Sequence, residues 1–293
     1  MDNRDEVKAF LTSRRAKITP DQAGLASYSR NRRVPGLRRS EVADLAGVSV
    51  EYYSQLERGN LAGVSASVLD ALARALHLDE AERAHLLDLA HAAGPARRAR
   101  RRPAAQQVRP SVARILDGMT HVPALVQNGR LDVLATNPLA RALYAPLFAD
   151  PVWPSNFARF NFLNPHARTF WGDWDRVADD TVAMLRTEAG RDPYDKGLTD
   201  LVGELSTRSD EFRVRWGAHD VQLHRTGLKH IRHPIVGDLH LSYEVMELTA
   251  DPGLALVAFS AEAGSPAADA LRFLASWAAT HEPADALATP DQT

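Results

Sequence analysis

Three groups of residues in this chain have the types and spacing to act on something outside it. Arg97, Arg98, Arg100, Arg101 and Arg102 form a dense basic run between prolines, without apolar periodicity. Such a run either lies along phosphates and adds salt-dependent affinity, or is a solvated linker that repels itself. Phe157, Phe160, Phe162, Phe170, Trp171 and Trp174 crowd into one short stretch beside Asn156, Arg159 and Arg168. An aromatic wall with a few convergent polar groups suits a small-molecule pocket, and equally suits a packed core under surface arginines. For a carboxylate ligand, Arg159 or Asn156 is the expected anchor and His233 a further candidate, a bidentate arginine fitting best. His230-x-x-His233 has the residue type for a metal, but it sits in an expected strand. Residues three apart there point to opposite faces, so joint ligation fails and no metal is expected. No Gly-x-Ser-x-Gly elbow frames Ser206, Ser209, His219 or Asp220, and no phosphate-cradling glycine loop occurs. Neither catalysis nor a cofactor is expected.

The elements that would hold such groups begin with EVADLAGVSVEYYSQLERG, residues 41–59. Val42, Leu45 and Ala46 have helical spacing after a candidate N-cap at Ser40. Gly47 supplies the backbone freedom of a sharp turn, and Ser49 caps a second helix that turns Tyr53 and Leu56 inward and ends at Gly59. This order resembles the XRE-type helix-turn-helix of phage and bacterial repressors. The resemblance implies that the second helix enters the major groove of double-stranded DNA while the first crosses the backbone. Val50, Glu51 and Gln55 then hold the base-reading positions, with Ser49 and Ser54 beside them and Arg58 at the end. Gln55 suits adenine, Glu51 cytosine N4 and Val50 a thymine methyl. Arg39 stands where the family usually has a phosphate-gripping Gln. Tyr53 is expected to pack, and Tyr52 either touches the DNA backbone or packs on the surface.

Length, composition and charge agree with that organisation. At 293 residues, 45% hydrophobic and 25% charged, the chain suits two soluble globular domains. With no cysteine, disulfides and thiolate chemistry are excluded, which fits a reducing cytoplasm. The charged start MDNRDEVKAF lacks a signal core and no run reaches membrane-spanning length, so a cytoplasmic protein without membrane contact is expected. Residues 1–110 carry 19 basic and 13 acidic side chains, a balance of +6, whereas residues 111–293 carry 16 and 24, a balance of −8. A basic front suits a polyanion and an acidic rear is kept off it.

The expected domains are residues 1–94, an all-α five-helix unit, 95–110, an Arg/Pro-rich linker, 111–280, an α+β domain, and 281–293, a disordered tail. In the front domain Val7, Phe10 and Leu11 open a helix with Asn3 and Glu6 at capping-box spacing, and residues 19–36 read as a basic loop. Ser65 or Ser67, then Asp79, cap two further helices. In the rear, Asn128-Gly129 between two apolar runs signals a hairpin. Asn137-Pro138, Asn164-Pro165 and Ser265-Pro266 start helices, and helical spacing fills 173–190, 195–206 and 209–216. After residue 225 the period becomes two, with Leu239, Leu241, Tyr243 and Val245 alternating, and Asp251-Pro252-Gly253 turning into a last strand. Two early strands, three late ones and intervening helices predict a PAS-like antiparallel sheet with helices on one side.

The blocks WPSNFARFNFLNPHARTFWGDWD, LRTEAGRDP, SDEFRVRWGAHDV, KHIRHPIVGDLHLSYE and GSPAADALRFLAS keep the order found in MmyB-like transcription regulators. The resemblance covers nearly all of residues 5–280. It implies a dimeric cytoplasmic regulator with an XRE-type domain followed by a PAS-like domain that holds a small lipophilic ligand such as a fatty acid. Two other readings of the rear half stay open: a protein-protein or dimerisation module without ligand, and an enzyme fused to a DNA-targeting domain.

Overall fold

A computed structural model describes residues 3–25, 34–94, 107–149, 154–218 and 226–281. The chain divides into two compact units. One comprises Met1–Arg102 with Val182–Leu223, the other Pro103–Thr181 with His224–Thr293. The units therefore do not follow chain order, and a piece of the rear half belongs with the front. The arginine run at 97–102 lies outside the described residues, as do Arg30, Arg32, Arg33, His219 and Asp220.

The front of the first unit is the expected five helices: α1 (Asn3–Lys17), α2 (Arg39–Ala46), α3 (Val50–Glu57), α4 (Ala66–Ala75) and α5 (Glu80–Ala92). Val7, Phe10, Leu11, Val42, Tyr53, Leu56, Leu72 and Leu86 share one core. Three expected caps form: Ser49 Oγ accepts from Tyr52 N at 3.1 Å, Ser65 Oγ from Val68 N at 3.4 Å, and Asp79 Oδ1 from Glu82 N at 2.8 Å. Others differ. Helix α2 begins two residues earlier than Ser40 would allow, because the Glu41 carboxylate reaches back to Arg38 N at 2.6 Å, so Arg38 is the N-cap and Ser40 lies in the first turn. Leu45 is exposed, and Val42, Ala43 and Ala46 form the buried face instead. Asn3 donates from Nδ2 to Leu89 O at 3.2 Å and Glu6 pairs with Arg186, long-range uses that replace the local capping box.

The second unit opens with α6 (Pro110–Gly118), the hairpin β1 (Ala124–Asn128) and β2 (Val133–Thr136), then α7 (Pro138–Leu143), α8 (Ala145–Phe148), α9 (Phe157–Leu163) and α10 (Ala167–Phe170). Helix α11 (Trp174–Arg191) follows, with the unit boundary inside it at Thr181 and Val182. Its end, α12 (Lys196–Arg208) and α13 (Asp210–Gly217) belong to the first unit. The second unit resumes with β3 (Thr226–His233), β4 (Gly237–Glu247), β5 (Leu254–Ser260) and α14 (Pro266–His281).

All strand pairs are antiparallel, in the order β2-β1-β5-β4-β3, the PAS-like arrangement expected. Period two sorts the side chains. Leu125, Leu239, Leu241, Tyr243, Val257 and Phe259 face the helices α7 to α11 and α14. The opposite face is not bare: Val112 and Leu116 of α6 cover Ala124, Val126, Leu254 and Leu256, so helices lie on both sides rather than one. Asn137 joins strand to helix. Its Oδ1 accepts from Ala140 N as the α7 cap and from Ala124 N, while Nδ2 donates to the carbonyls of Met119 and Val122.

Candidate DNA-reading helix and ligand-binding core

Helix α3 is fixed by its turn and oriented by its burial. Gly47 adopts φ +66°, ψ 35°, a left-handed C-cap that lets Val48 N reach Ala43 O and turns the chain within three residues. With Tyr53 and Leu56 buried at one side of α3, Ser49, Val50, Glu51 and Gln55 are left exposed at the other, and Tyr52 and Ser54 are half-buried at its edge. This exposed side, including Val50 at 38% exposure, thus offers a small apolar group, a carboxylate and an amide to the outside. Arg58 is exposed beyond the helix end. Gly59 closes the motif with φ +95°, and any Cβ there would lie 2.6 Å from Arg4 Cα, so α1 seals this end.

Behind α3 sits a carboxylate hub. Glu57, 2% exposed, accepts from Thr12 Oγ1 at 2.9 Å, from Arg15 Nη2 at 2.8 Å and Nε at 3.2 Å, and from Arg39 Nε at 2.6 Å. Burial pushes its pKa up, but the hydrogen bonds and charge of Arg15 and Arg39 outweigh that and hold it below the usual carboxylate range. Arg39 spends Nε on Glu57, yet its side chain is 55% exposed. The buried acid therefore steers a solvent-facing guanidinium at the start of α2, where a phosphate contact is expected. The sequence singles out Arg39 and gives Glu57 no role. A charged residue at an inward helical position was the one available signal.

In the second unit the aromatic cluster is a packed core centred on Tyr144, which the sequence reading did not include. Tyr144, 1% exposed, meets the rings of Phe157 at 5.1 Å, Phe259 at 5.5 Å, Phe170 at 6.0 Å and Trp171 at 6.1 Å between centroids. Phe160 meets Phe170 edge-on at 5.7 Å, and Phe162 meets Trp174 at 6.0 Å. Asn161 anchors both indoles: Trp171 Nε1 donates to its Oδ1 at 2.8 Å and Trp174 Nε1 to its backbone carbonyl at 2.9 Å. The Arg168 guanidinium lies 3.8 Å above the Trp174 ring. Phe157, Phe160, Phe162, Trp171 and Trp174 are thus brought together.

The polar candidates fare differently. Asn156 is buried, and its groups hold the fold: Oδ1 accepts from Arg159 N as the α9 cap, while Nδ2 donates to Arg130 O and Asp132 Oδ1, both at 2.8 Å. His233 is buried as well. Its Nε2 lies 3.1 Å from Ala142 O, and its Nδ1 accepts from Ile235 N and Val236 N, closing the β3–β4 turn. That pattern needs a neutral ring, and burial holds its pKa below the ordinary imidazole value despite the Ala142 carbonyl. Both side chains are thereby committed to structure, where sequence reasoning had them as ligand anchors. Arg159 is half-buried on α9. His230 stacks on His240 at 4.2 Å and bonds Asp238 at 2.8 Å, in surroundings different from those of His233. One inward charge was not anticipated: Lys229 Nζ lies 3.2 Å from Asp180 Oδ2, and burial lowers the lysine pKa against the pull of that acid.

A helix-turn-helix with one exposed helix side, joined to a PAS-like sheet domain with an aromatic core, is the organisation of a DNA-binding regulator with a sensing domain. Comparison with known families agrees. Residues 14–86 match the helix-turn-helix domain, and residues 108–274, more than half of the chain, match the MmyB-like transcription regulator ligand binding domain. The chain belongs to the MmyB-like transcription regulators, and it is a DNA-binding transcriptional regulator with a ligand-binding domain. No curated protein sequence matches it. Among the described residues no helix is long and apolar enough to cross a membrane.

Proposed function

We propose that this regulator is a cytoplasmic homodimer that reads a paired operator through α3 and alters its grip when a small fatty-acid-like ligand enters the aromatic core of the second unit. The observation that carries the DNA half is the exposed set Val50, Glu51 and Gln55 on a capped helix whose other side is buried. Those side chains read base edges. Arg39, Ser49, Tyr52, Ser54 and Arg58 contact the backbone around them, and the arginines at 97–102 add phosphate contacts that position without reading. One such module reads one half-site, so tight binding calls for two at a fixed spacing.

The ligand half rests on the family and on the aromatic core. Rings that touch edge to face must part to admit an alkyl chain, so binding would remodel that core and reach every helix packed on it. Arg159, on the same helix as Phe157 and Phe160, is the proposed partner for a carboxylate head.

Two substitutions separate reading from gripping. Gln55→Ala is expected to relax preference at one base position, at a loss of roughly 1–3 kcal/mol on the specific site. Arg39→Ala is expected to weaken all sequences about equally and to reduce the salt slope by roughly one. Binding-site selection followed by a salt titration checks both. The same selected sequence and affinity from both variants and wild type would overturn the docking of α3.

A further inference from the structure

Arg186, near the end of α11, is the largest fully buried side chain among the described residues. Its Nη1 donates to Glu6 Oε1 on α1 and its Nη2 to the Trp216 carbonyl on α13, while the guanidinium lies 4.1 Å over the Trp216 ring. Trp216 is in turn stacked on Phe212 at 5.5 Å. One turn further along α11, a Cβ at Gly190 would lie 2.4 Å from the His85 ring of α5, so the helices are in close contact there. All of these residues lie in the first unit, yet 182–217 fall within the stretch matched to the ligand-binding family. A fully buried guanidinium is costly unless its charge is paired, and the Glu6 carboxylate supplies that pairing here, which makes the geometry around it narrow.

Glu6 occupies the first turns of α1, and the same helix carries Thr12 and Arg15, which hold Glu57 of α3, which in turn holds Arg39 of α2. We propose that Arg186 is a positioning residue for DNA binding: by gripping Glu6 it sets α1, and through Thr12, Arg15 and Glu57 it sets the aim of Arg39 at the phosphate backbone. Helix α11 also supplies Trp174, Val177 and Ala178 to the core of the second unit, so one continuous helix serves both the aromatic core and this grip. The inference rests on the phosphate role proposed above for Arg39.

The test uses the full chain and the DNA sequence it selects, with affinity followed across a salt titration for wild type, Arg186→Met, Arg39→Ala and the two substitutions combined. Arg186→Met is expected to weaken binding roughly tenfold and to reduce the salt slope by about one, as Arg39→Ala does, with the preferred sequence unchanged. The combined variant should bind no more weakly than Arg39→Ala alone, because one contact is lost by two routes. Arg186→Lys should recover little, since an ammonium cannot bridge Glu6 and the Trp216 carbonyl while stacking on the ring. If Arg186→Met fails to fold by circular dichroism, Glu6→Leu combined with Arg186→Met removes both charges together and the salt slope is read on that protein. A wild-type slope in a folded Arg186 variant, or effects that multiply with Arg39→Ala, would overturn the inference. A wild-type slope in Arg39→Ala itself would sink the phosphate role of Arg39, and this inference with it.

Discussion

Glu57→Ala is expected to destabilise the first unit by about 3 kcal/mol, the low end of what breaking a buried ion pair costs. The carboxylate is 2% exposed and joins α1, α2 and α3 through Thr12, Arg15 and Arg39. Its removal strands Arg15, whose side chain is 15% exposed, whereas Arg39 at 55% regains water, which is why the loss stays at the low end. Operator affinity should fall with it, since Arg39 loses the group that aims it. The effect carries a pH signature. The folded pKa of Glu57 lies below its unfolded value, so the stabilisation is whole above the ordinary carboxylate range and is lost as pH falls through the folded pKa. Urea unfolding of wild type and variant should therefore differ most near neutrality and converge in acid. A difference below about 1 kcal/mol at neutral pH, or one that grows on acidification, would contradict the hub.

Tyr144→Ala is expected to destabilise the second unit by about 3–5 kcal/mol, the range for emptying a buried aromatic site. The ring stands at the junction of Phe157 of α9, Phe170 and Trp171 at the end of α10, and Phe259 of β5, so its removal leaves a cavity that no single rotamer change fills. Trp171 and Trp174 report on that core by fluorescence, and both should move to an earlier unfolding midpoint. Tyr144→Phe keeps the ring and should stay within about 1.5 kcal/mol of wild type. If alanine proved as mild as phenylalanine, the aromatic cluster would not be the structural centre of this unit.

The helix-turn-helix was legible in the sequence because its determinants are local. Gly47 in a left-handed turn, Ser49 bonding three residues ahead, and Tyr53 and Leu56 one turn apart are all set within a few residues. The β1–β2 hairpin around Asn128 and the alternation of β4 were legible for the same reason. What stayed hidden is long-range. Asn3 and Glu6 have capping-box spacing, but Leu89 and Arg186 claim them from 86 and 180 residues away. Asn156 and His233 have the polarity of ligand anchors, and the contacts that commit them, to Asp132 and to Ala142, arise only once the sheet has formed. Tyr144 lies just before the aromatic stretch in sequence and at its centre in space. The return of 182–217 to the front unit has no local signal, because the helix that carries it is continuous across the boundary.

Whether one chain both reads DNA and answers to a lipophilic ligand is tested by the operator affinity of the full-length protein measured against added fatty acid. The protein would first be stripped of co-purifying lipid. Anisotropy on its selected operator would then be followed while saturated acids of increasing chain length, and their methyl esters, are titrated in. A ligand changes DNA affinity only by its differential affinity for the two states, so a coupling of about 1–3 kcal/mol predicts a shift of roughly 5- to 150-fold in Kd. Such a shift is expected for acids long enough to fill the aromatic core, with the esters weaker. The same Kd across the whole series, from protein that still selects its operator, would contradict it.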